Sequence, residues 1–207
     1  MRLAKTCAGA VAGALLTALW DAPVRADGLS PDEVDKLGRG ETVIRSQTVE
    51  RGDRRYVGGV TYTVMDDSAA DVTGLLGDVR VWQRILPRTR SARVVGAARH
   101  GELVELTNGT SIVQATYTMQ LQRDGRVVRF WLDPARRHDI EDAWGFVRAE
   151  PMARGRTLVT YGVLIDLGPG IVRDLFEDGV RKLALSVPER LRTLVLERNS
   201  SGARAAR

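Results

Sequence analysis

Most of the side chains that could do acid–base chemistry in this chain lie in its C-terminal half. The candidates for proton transfer are Arg129, His138, Asp139, Glu141, Asp142 and Tyr161. His138 is the first candidate because imidazole titrates near neutral pH, but it follows the polar segment 134–137, which predicts a solvent-exposed loop. Glu141 and Asp142 are adjacent on a predicted strand, so they point to opposite faces and cannot form a carboxylate pair. The sequence therefore assigns no catalytic residue.

The composition excludes several other kinds of site. Two histidines and one cysteine cannot form a Cys/His zinc site or a disulfide framework. The sequence contains no Gly-x-Ser-x-Gly elbow and no P-loop, and the glycines at 168–170 are too few for a phosphate-binding loop. Aromatic residues do not alternate with the basic residues on any predicted strand, which argues against nucleic-acid binding. We expect neither a metal nor a cofactor.

The N-terminal segment has the pattern of a secretory signal peptide. Arg2 and Lys5 precede an apolar run that ends near Trp20, and a small residue, Ala26, follows at the expected cleavage site. The sequence predicts cleavage after Ala26 and a periplasmic or secreted mature chain, with an uncleaved anchor as the alternative. The lone cysteine, Cys7, lies before the apolar run, so it does not match a lipoprotein acylation site and should leave with the signal.

Periodicity places a short helix, many strands and a long helix along the mature chain. A cap at Ser30 begins the short helix, and the 111–121 strand alternates apolar and polar residues, which is typical of an antiparallel sheet covered on one face. Apolar residues recur at three- and four-residue steps from Pro169 to Glu197, which predicts a long amphipathic helix that Pro188 should kink or restart. The predicted strands are 42–50, 56–65, 93–98, 103–107, 111–123, 126–133, 140–149 and 156–167, with two short helices near 69–76 and 79–85.

This order of elements, together with four local motifs, resembles the START-like (SRPBCC) superfamily of polyketide cyclase/dehydrase and coenzyme Q-binding proteins. The segment 78–87 is similar to that superfamily's D-x-x-x-W-x-x-x-x-P pattern. Its strand pair W-x-F and G-x-T-x-V-x-Y is similar to the segments 144–146 and 155–161, respectively. The segments 166–169 and 187–191 also fit. The resemblance covers residues 56–198 and implies an α+β helix-grip fold, with a curved antiparallel sheet wrapped around the C-terminal helix and two short helices after the first core strand.

The resemblance also implies a domain organisation and a cavity between sheet and helix. We divide the chain into a signal peptide (1–26), an N-terminal extension (27–55) that packs on the domain or covers the cavity mouth, a START-like domain (56–199) and a disordered tail (200–207). Adjacent strand residues face opposite ways, so the sequence leaves open which of Phe130 and Trp131 faces inward. The candidate wall residues are Tyr117, Met119, Phe130, Trp131, Trp144, Phe146, Tyr161, Val172, Phe176, Val180 and Leu183.

The predicted function is to bind or carry a hydrophobic small molecule, such as a lipid, an isoprenoid quinone or a polyketide-like compound. Two alternatives stay open: a cyclase or dehydratase that uses polar residues in the same cavity, and an interaction module whose cavity is filled by side chains. The expected partners are an apolar ligand and, as a further alternative, a membrane surface that the protein contacts transiently. We expect a monomer.

Overall fold

The computed structural model describes residues 28–205, without the side chains of residues 171–174 and 202–205, so the predicted signal peptide lies outside the described residues. The helices are α1 (Pro31–Gly38), α2 (Ala69–Leu75), α3 (Val79–Ile85), α4 (Ile171–Leu185) and α5 (Val187–Ala205). The strands are β1 (Val43–Arg51), β2 (Arg54–Met65), β3 (Thr89–Ala98), β4 (Gly101–Gly109), β5 (Gln114–Asp124), β6 (Val127–Leu132), β7 (Asp142–Pro151) and β8 (Thr157–Asp166). No helix in the part of the chain that the structure describes is long and apolar enough to cross a membrane.

The strands form one curved antiparallel sheet in the order β1-β2-β8-β7-β6-β5-β4-β3. Successive residues alternate between its two faces, which is clearest in β6 and β7, where every second residue is buried. The inner face, which carries α4 and α5, holds the main apolar core together with α2 and α3. The predicted α+β class and helix-grip arrangement are confirmed.

The predicted C-terminal helix is two helices that meet at Ser186. The break lies just before Pro188, which has no backbone N–H to continue the hydrogen-bond ladder of α4. Here the buried hydroxyl of Thr61 on β2 donates a hydrogen bond of 3.0 Å to the carbonyl oxygen of Leu185. Carbonyl groups at a helix C-terminus lack intrahelical partners, so this bond attaches the junction to the sheet.

α4 is also joined to the β1–β2 hairpin by ion pairs at the surface. The Arg55 guanidinium donates to both carboxylate oxygens of Glu177, at 3.1 and 3.2 Å. Arg181 donates to Glu177 and to the hydroxyl of Thr48 on β1. Charged groups therefore hold the middle and the C-terminal half of α4 to this hairpin.

The N-terminal extension forms part of the main sheet and covers one region of its outer face. β1 pairs with β2 along its full length, which makes β1 an edge strand. α1 begins at a capping box between Ser30 and Glu33 and buries Leu37. Leu37 packs with Val43, Tyr62, Val64 and Leu158 in a second, smaller apolar cluster.

α5 continues to Ala205, through the segment for which the sequence predicted a disordered tail. The hydroxyls of Ser200 and Ser201 both donate hydrogen bonds to the Glu197 carbonyl oxygen, at 2.9 Å. These are local bonds from a side chain to the backbone of the preceding turn, at i−3 and i−4, inside the helix. The prediction treated these serines only as polar residues and missed this local pairing.

Gly145 on the inner face of β7 leaves room for the ring of Phe130. A Cβ atom at position 145 would lie 2.3 Å from the carbonyl oxygen of Gly162 and 2.5 Å from Cζ of Phe130. The first of these atoms belongs to the backbone of β8 and cannot move without distorting the sheet. Strands β7 and β8 therefore depend on the absence of a side chain at this position.

We predict that Gly145→Ala lowers the free energy of unfolding by about 2 kcal/mol, within the range of overpacked cores. Gly179→Ala is the matched control, because Gly179 lies in α4 with open space around it. The control should raise stability by about 0.5–1 kcal/mol through helix propensity. Urea denaturation of both variants tests this, and equal stability of Gly145→Ala and the unmodified protein would contradict the packing argument.

Candidate ligand-binding cavity

A cavity of about 390 Å³ lies between the inner face of the sheet and α4. Its walls come from the inward residues of β4 to β8, from α3 and from the α4 side chains that face the sheet. Most of the lining is apolar. The lining residues are Trp82, Leu86, Pro87, Arg88, Val104, Leu106, Asn108, Gly109, Thr110, Val113, Gln114, Ala115, Tyr117, Met119, Leu121, Phe130, Asp139, Ile140, Ala143, Tyr161, Val163, Ile165, Leu167, Phe176, Val180, Leu183 and Ala184.

Three aromatic side chains form a row in the buried part of the wall. The rings of Trp82 and Phe130 meet edge to face, with centroids 5.9 Å apart. Phe130 and Tyr161 lie nearly parallel, at 26° and 6.1 Å between centroids. The indole N–H of Trp82 donates to the Leu76 carbonyl oxygen at 2.9 Å, which fixes the ring in place. This end of the cavity therefore has rigid, aromatic walls.

The cavity mouth is marked by the exposed lining residues of three loops and of α4. Arg88 lies in the α3–β3 connection, Thr110 and Val113 in the β4–β5 loop, and Asp139 between β6 and β7, while Phe176 belongs to α4. The Asp139 carboxylate accepts a hydrogen bond of 2.8 Å from the Thr116 amide, so it is already engaged in holding its loop. The mouth therefore combines polar groups with the exposed apolar side chains of Val113 and Phe176.

Two tyrosine hydroxyls and one amide oxygen line this cavity without a hydrogen-bond partner among the described residues. Tyr161 is only 2% exposed, and Tyr117 is half-buried. No described group donates to either hydroxyl or accepts from it. The Asn108 amide nitrogen donates to the Pro87 carbonyl and the Thr89 hydroxyl, which leaves its Oδ1 atom buried and unpaired. Asn108 Oδ1 is thus a buried acceptor without a partner, and with the two tyrosine hydroxyls it marks the polar positions of the cavity wall.

Burial keeps both tyrosines in their neutral form. It raises the pKa of Tyr117 to about 12. Burial, with a smaller contribution from the neighbouring Tyr117, raises the pKa of Tyr161 well above its ordinary value. At neutral pH both hydroxyls are therefore protonated and able to donate hydrogen bonds.

No protein-family model matches the chain, and no curated protein matches it. A STAR-related lipid transfer protein fragment from Xanthomonas axonopodis is similar in structure, at a TM-score of 0.59 and 18% identity, over 74% of this chain and 93% of that one. A protein of Thermus thermophilus has a TM-score of 0.56 at 19% identity, over 67% and 96% of the two chains.

The Zhui aromatase/cyclase from Streptomyces has a TM-score of 0.52 at 19% identity, over 80% of this chain and 98% of that one. The similar solved structures are START/Bet v1-like proteins, as the sequence resemblance predicted. The chain has the helix-grip fold. At these identities the likeness establishes the fold alone, so the residues of the cavity must be judged from their own geometry.

The helix-grip cavity contains seven of the eleven wall residues that the sequence suggested. The seven come from β5, β6 and β8 and from α4, and they are Tyr117, Met119, Phe130, Tyr161, Phe176, Val180 and Leu183. Val172 belongs to the first turn of α4, where the structure does not describe side chains. The sheet register answers the question that the sequence left open, because Phe130 faces inward and Trp131 faces outward.

Trp131, Trp144 and Phe146 lie on the outer face of the helix-grip sheet, away from the cavity. Trp131 pairs with Trp144 across β6 and β7, and both are only partly buried. Phe146 extends over Gly162, where a Cβ atom would lie 2.5 Å from its ring, and the Arg148 guanidinium lies 5.7 Å from the ring centroid. The sequence placed these residues in the wall because they are large and apolar, although alternation from Phe130 and Ala143 puts them on the other face.

Several cavity residues were missed by the sequence analysis. Trp82 was recognised only as part of a motif, although its ring forms the wall beside Phe130. Asn108 was not among the candidate wall residues, yet it lies near the end of β4 and lines the cavity. The alternation of apolar residues in β4 could have identified Val104 and Leu106. No local sequence signal identifies Ile140 or Ala143.

The proposed acid–base candidates other than Tyr161 and Asp139 lie outside the cavity lining. His138 Nδ1 lies 2.6 Å from the Ile140 carbonyl oxygen, and the exposed Glu141 side chain lies beside Gly168. Arg129 contacts Asp124, and Asp142 accepts hydrogen bonds from Tyr56 and Arg54. Within residues 28–205 no group of three or more His, Cys, Asp or Glu side chains could hold a metal ion.

Proposed function

We propose that this protein binds and carries a hydrophobic small molecule in the cavity beneath α4. The observation that supports the proposal is the cavity itself, whose volume of about 390 Å³ and largely apolar lining suit a small organic ligand. Burial of apolar ligand surface contributes roughly 25 cal/mol per Å², which favours the bound state without any covalent step. Lipids, isoprenoid quinones and polyketide-like compounds all supply such a surface.

The cavity argues against the alternative of an interaction module filled by its own side chains. Ligand pockets begin at about 300 Å³, and this one is larger.

The cyclase or dehydratase alternative needs a polar residue in the cavity that can exchange protons near neutral pH. The inward tyrosines titrate far above neutrality, while Glu141 and Arg129 do not line the cavity. Asp139 is the one carboxylate in the lining, but it lies at the exposed mouth and already accepts a hydrogen bond from the Thr116 amide. Carriage is therefore the better supported of the three functions.

Native mass spectrometry of the mature protein, followed by solvent extraction, tests carriage directly. We expect an apolar compound to co-purify at near-equal stoichiometry.

Val180→Trp should lower the affinity for N-phenylnaphthylamine by about tenfold or more, equivalent to about 1.4 kcal/mol, because the indole would occupy the cavity that Val180 lines. Val34→Trp is the matched control, since Val34 lies on α1 and is 53% exposed. An empty protein that also binds no apolar probe would favour the interaction module.

We also propose that the cavity mouth contacts a membrane while the ligand enters or leaves. The mouth is flanked by large apolar side chains that face water: Ile112 is 91% exposed in the β4–β5 loop, and Leu175 is 70% exposed on α4. Val113 and Phe176, which line the mouth, are also exposed. Apolar groups around an opening of this kind match a lipid surface better than water.

Ile112→Ser should weaken binding to phosphatidylcholine–phosphatidylglycerol vesicles by about tenfold, as expected from losing the burial of one large apolar side chain. Leu196→Ser is the matched control, because Leu196 is 52% exposed on α5, outside the cavity lining. Co-sedimentation with vesicles measures both variants. Equal binding by Ile112→Ser and the unmodified protein would contradict membrane contact at the mouth.

We further propose that the chain is exported and cleaved after Ala26, on the strength of its N-terminal charge and apolar pattern. Expression of the full chain in a bacterial host should give a periplasmic protein whose first residue is Asp27. N-terminal sequencing of the fractionated protein measures this. A chain that begins at Met1 and remains with the membrane fraction would favour the uncleaved anchor instead.

A further inference from the structure

The cavity carries hydrogen-bonding groups that simple sequestration of an acyl chain would not use. Tyr117 on β5 and Tyr161 on β8 come from well-separated strands of the curved sheet, and both line the same cavity. Their aromatic rings belong to the apolar wall, but neither hydroxyl has a partner among the described residues. An acyl chain packed against these hydroxyls would displace water from them without offering a hydrogen-bond partner, and that loss of hydration costs free energy.

The protonation of these hydroxyls decides which ligand group they suit. Both phenols stay neutral well above physiological pH because of their burial. Neutral phenols donate one hydrogen bond each, and a carbonyl oxygen has two lone pairs that can accept them. The polar groups at the mouth compete less well for that carbonyl: Asn108 presents a buried acceptor oxygen, and Arg88 is exposed to water.

The shape of the wall favours a ring over a flexible chain. Phe130 and Tyr161 lie nearly parallel and Trp82 closes the row edge to face, so rigid aromatic surfaces form the wall that includes Tyr161. Aromatic groups pack on one another in preferred orientations and gain more than their buried area alone would give. A planar ring also loses less conformational entropy on binding than a long alkyl chain.

We propose that Tyr117 and Tyr161 select an apolar ring compound with a ketone or quinone carbonyl, whose oxygen accepts hydrogen bonds from their hydroxyls. This inference rests on the proposed function, because it names the ligand class of the same cavity. Tyr161, nine-tenths buried and unpartnered, supplies the inner donor, and Tyr117 supplies the second. The two tyrosines are then specificity-determining residues, while the apolar wall supplies most of the affinity.

Two probes of matched shape test the inference: acetylnaphthalene, which has a carbonyl group, and ethylnaphthalene, which has a methylene group in its place. The unmodified protein should bind the ketone more tightly than the hydrocarbon. The double variant Tyr117→Phe/Tyr161→Phe should lose that preference. The ratio of the affinity for the ketone to the affinity for the hydrocarbon should fall by about two- to tenfold for each hydrogen bond removed. Affinity for the hydrocarbon should stay the same, because each phenylalanine preserves the ring.

The control variant is Tyr62→Phe, on the outer face of β2, which should leave the ratio unchanged. Thermal unfolding verifies that the double variant folds, as expected when the lost hydroxyls have no described partner. An equal ketone-to-hydrocarbon ratio in the double variant and the unmodified protein would overturn the inference and indicate that water satisfies the hydroxyls. Failure of both probes to bind the unmodified protein would instead overturn the proposed function.

Discussion

The hydrogen bond from Thr61 to the Leu185 carbonyl oxygen is the constraint on which the cavity depends. It lies at the junction of α4 and α5 and is buried, so it fixes the position of both helices on the inner face of β2, next to the edge strand β1. On one side of it, α5 packs Val187, Leu191 and Val195 into the core. On the other side, α4 crosses the curved sheet without filling the space beneath it. One buried contact thus separates a packed core from a cavity.

The middle of α4 is held differently from its junction with α5. Glu177 pairs with Arg55 and Arg181, and Arg181 reaches Thr48 on β1. Partly exposed ion pairs of this kind contribute little to stability and weaken with salt, whereas the buried bond of Thr61 is shielded from solvent. The N-terminal extension therefore has a structural role beyond the edge of the sheet, because its strand β1 supplies a contact that positions the helix over the cavity.

Much of this fold could be predicted from the sequence because its elements have strong local signals. The alternation in β5, the cap at Ser30 and the break before Pro188 each follow from residue types at fixed spacing. The side of the sheet that a residue faces was harder to predict. Trp144 and Phe146 are as apolar as a cavity wall requires, but they belong to the outer face, and only the register with Phe130 and Ala143 distinguishes the two sets. The unpartnered state of Tyr161 depends on residues far apart in the chain, so no local pattern could reveal it.

The distribution of the tryptophans has a spectroscopic consequence. Among the described residues Trp82 is buried in the cavity wall, whereas Trp131 and Trp144 are on the outer face of the sheet. An indole in a rigid apolar site emits at shorter wavelength than one near water, so these two environments contribute separable components to the fluorescence of the protein. Occupation of the cavity would alter the emission of Trp82 and leave that of the outer pair as an internal reference. The molecule thus contains its own optical indicator of the state of its cavity.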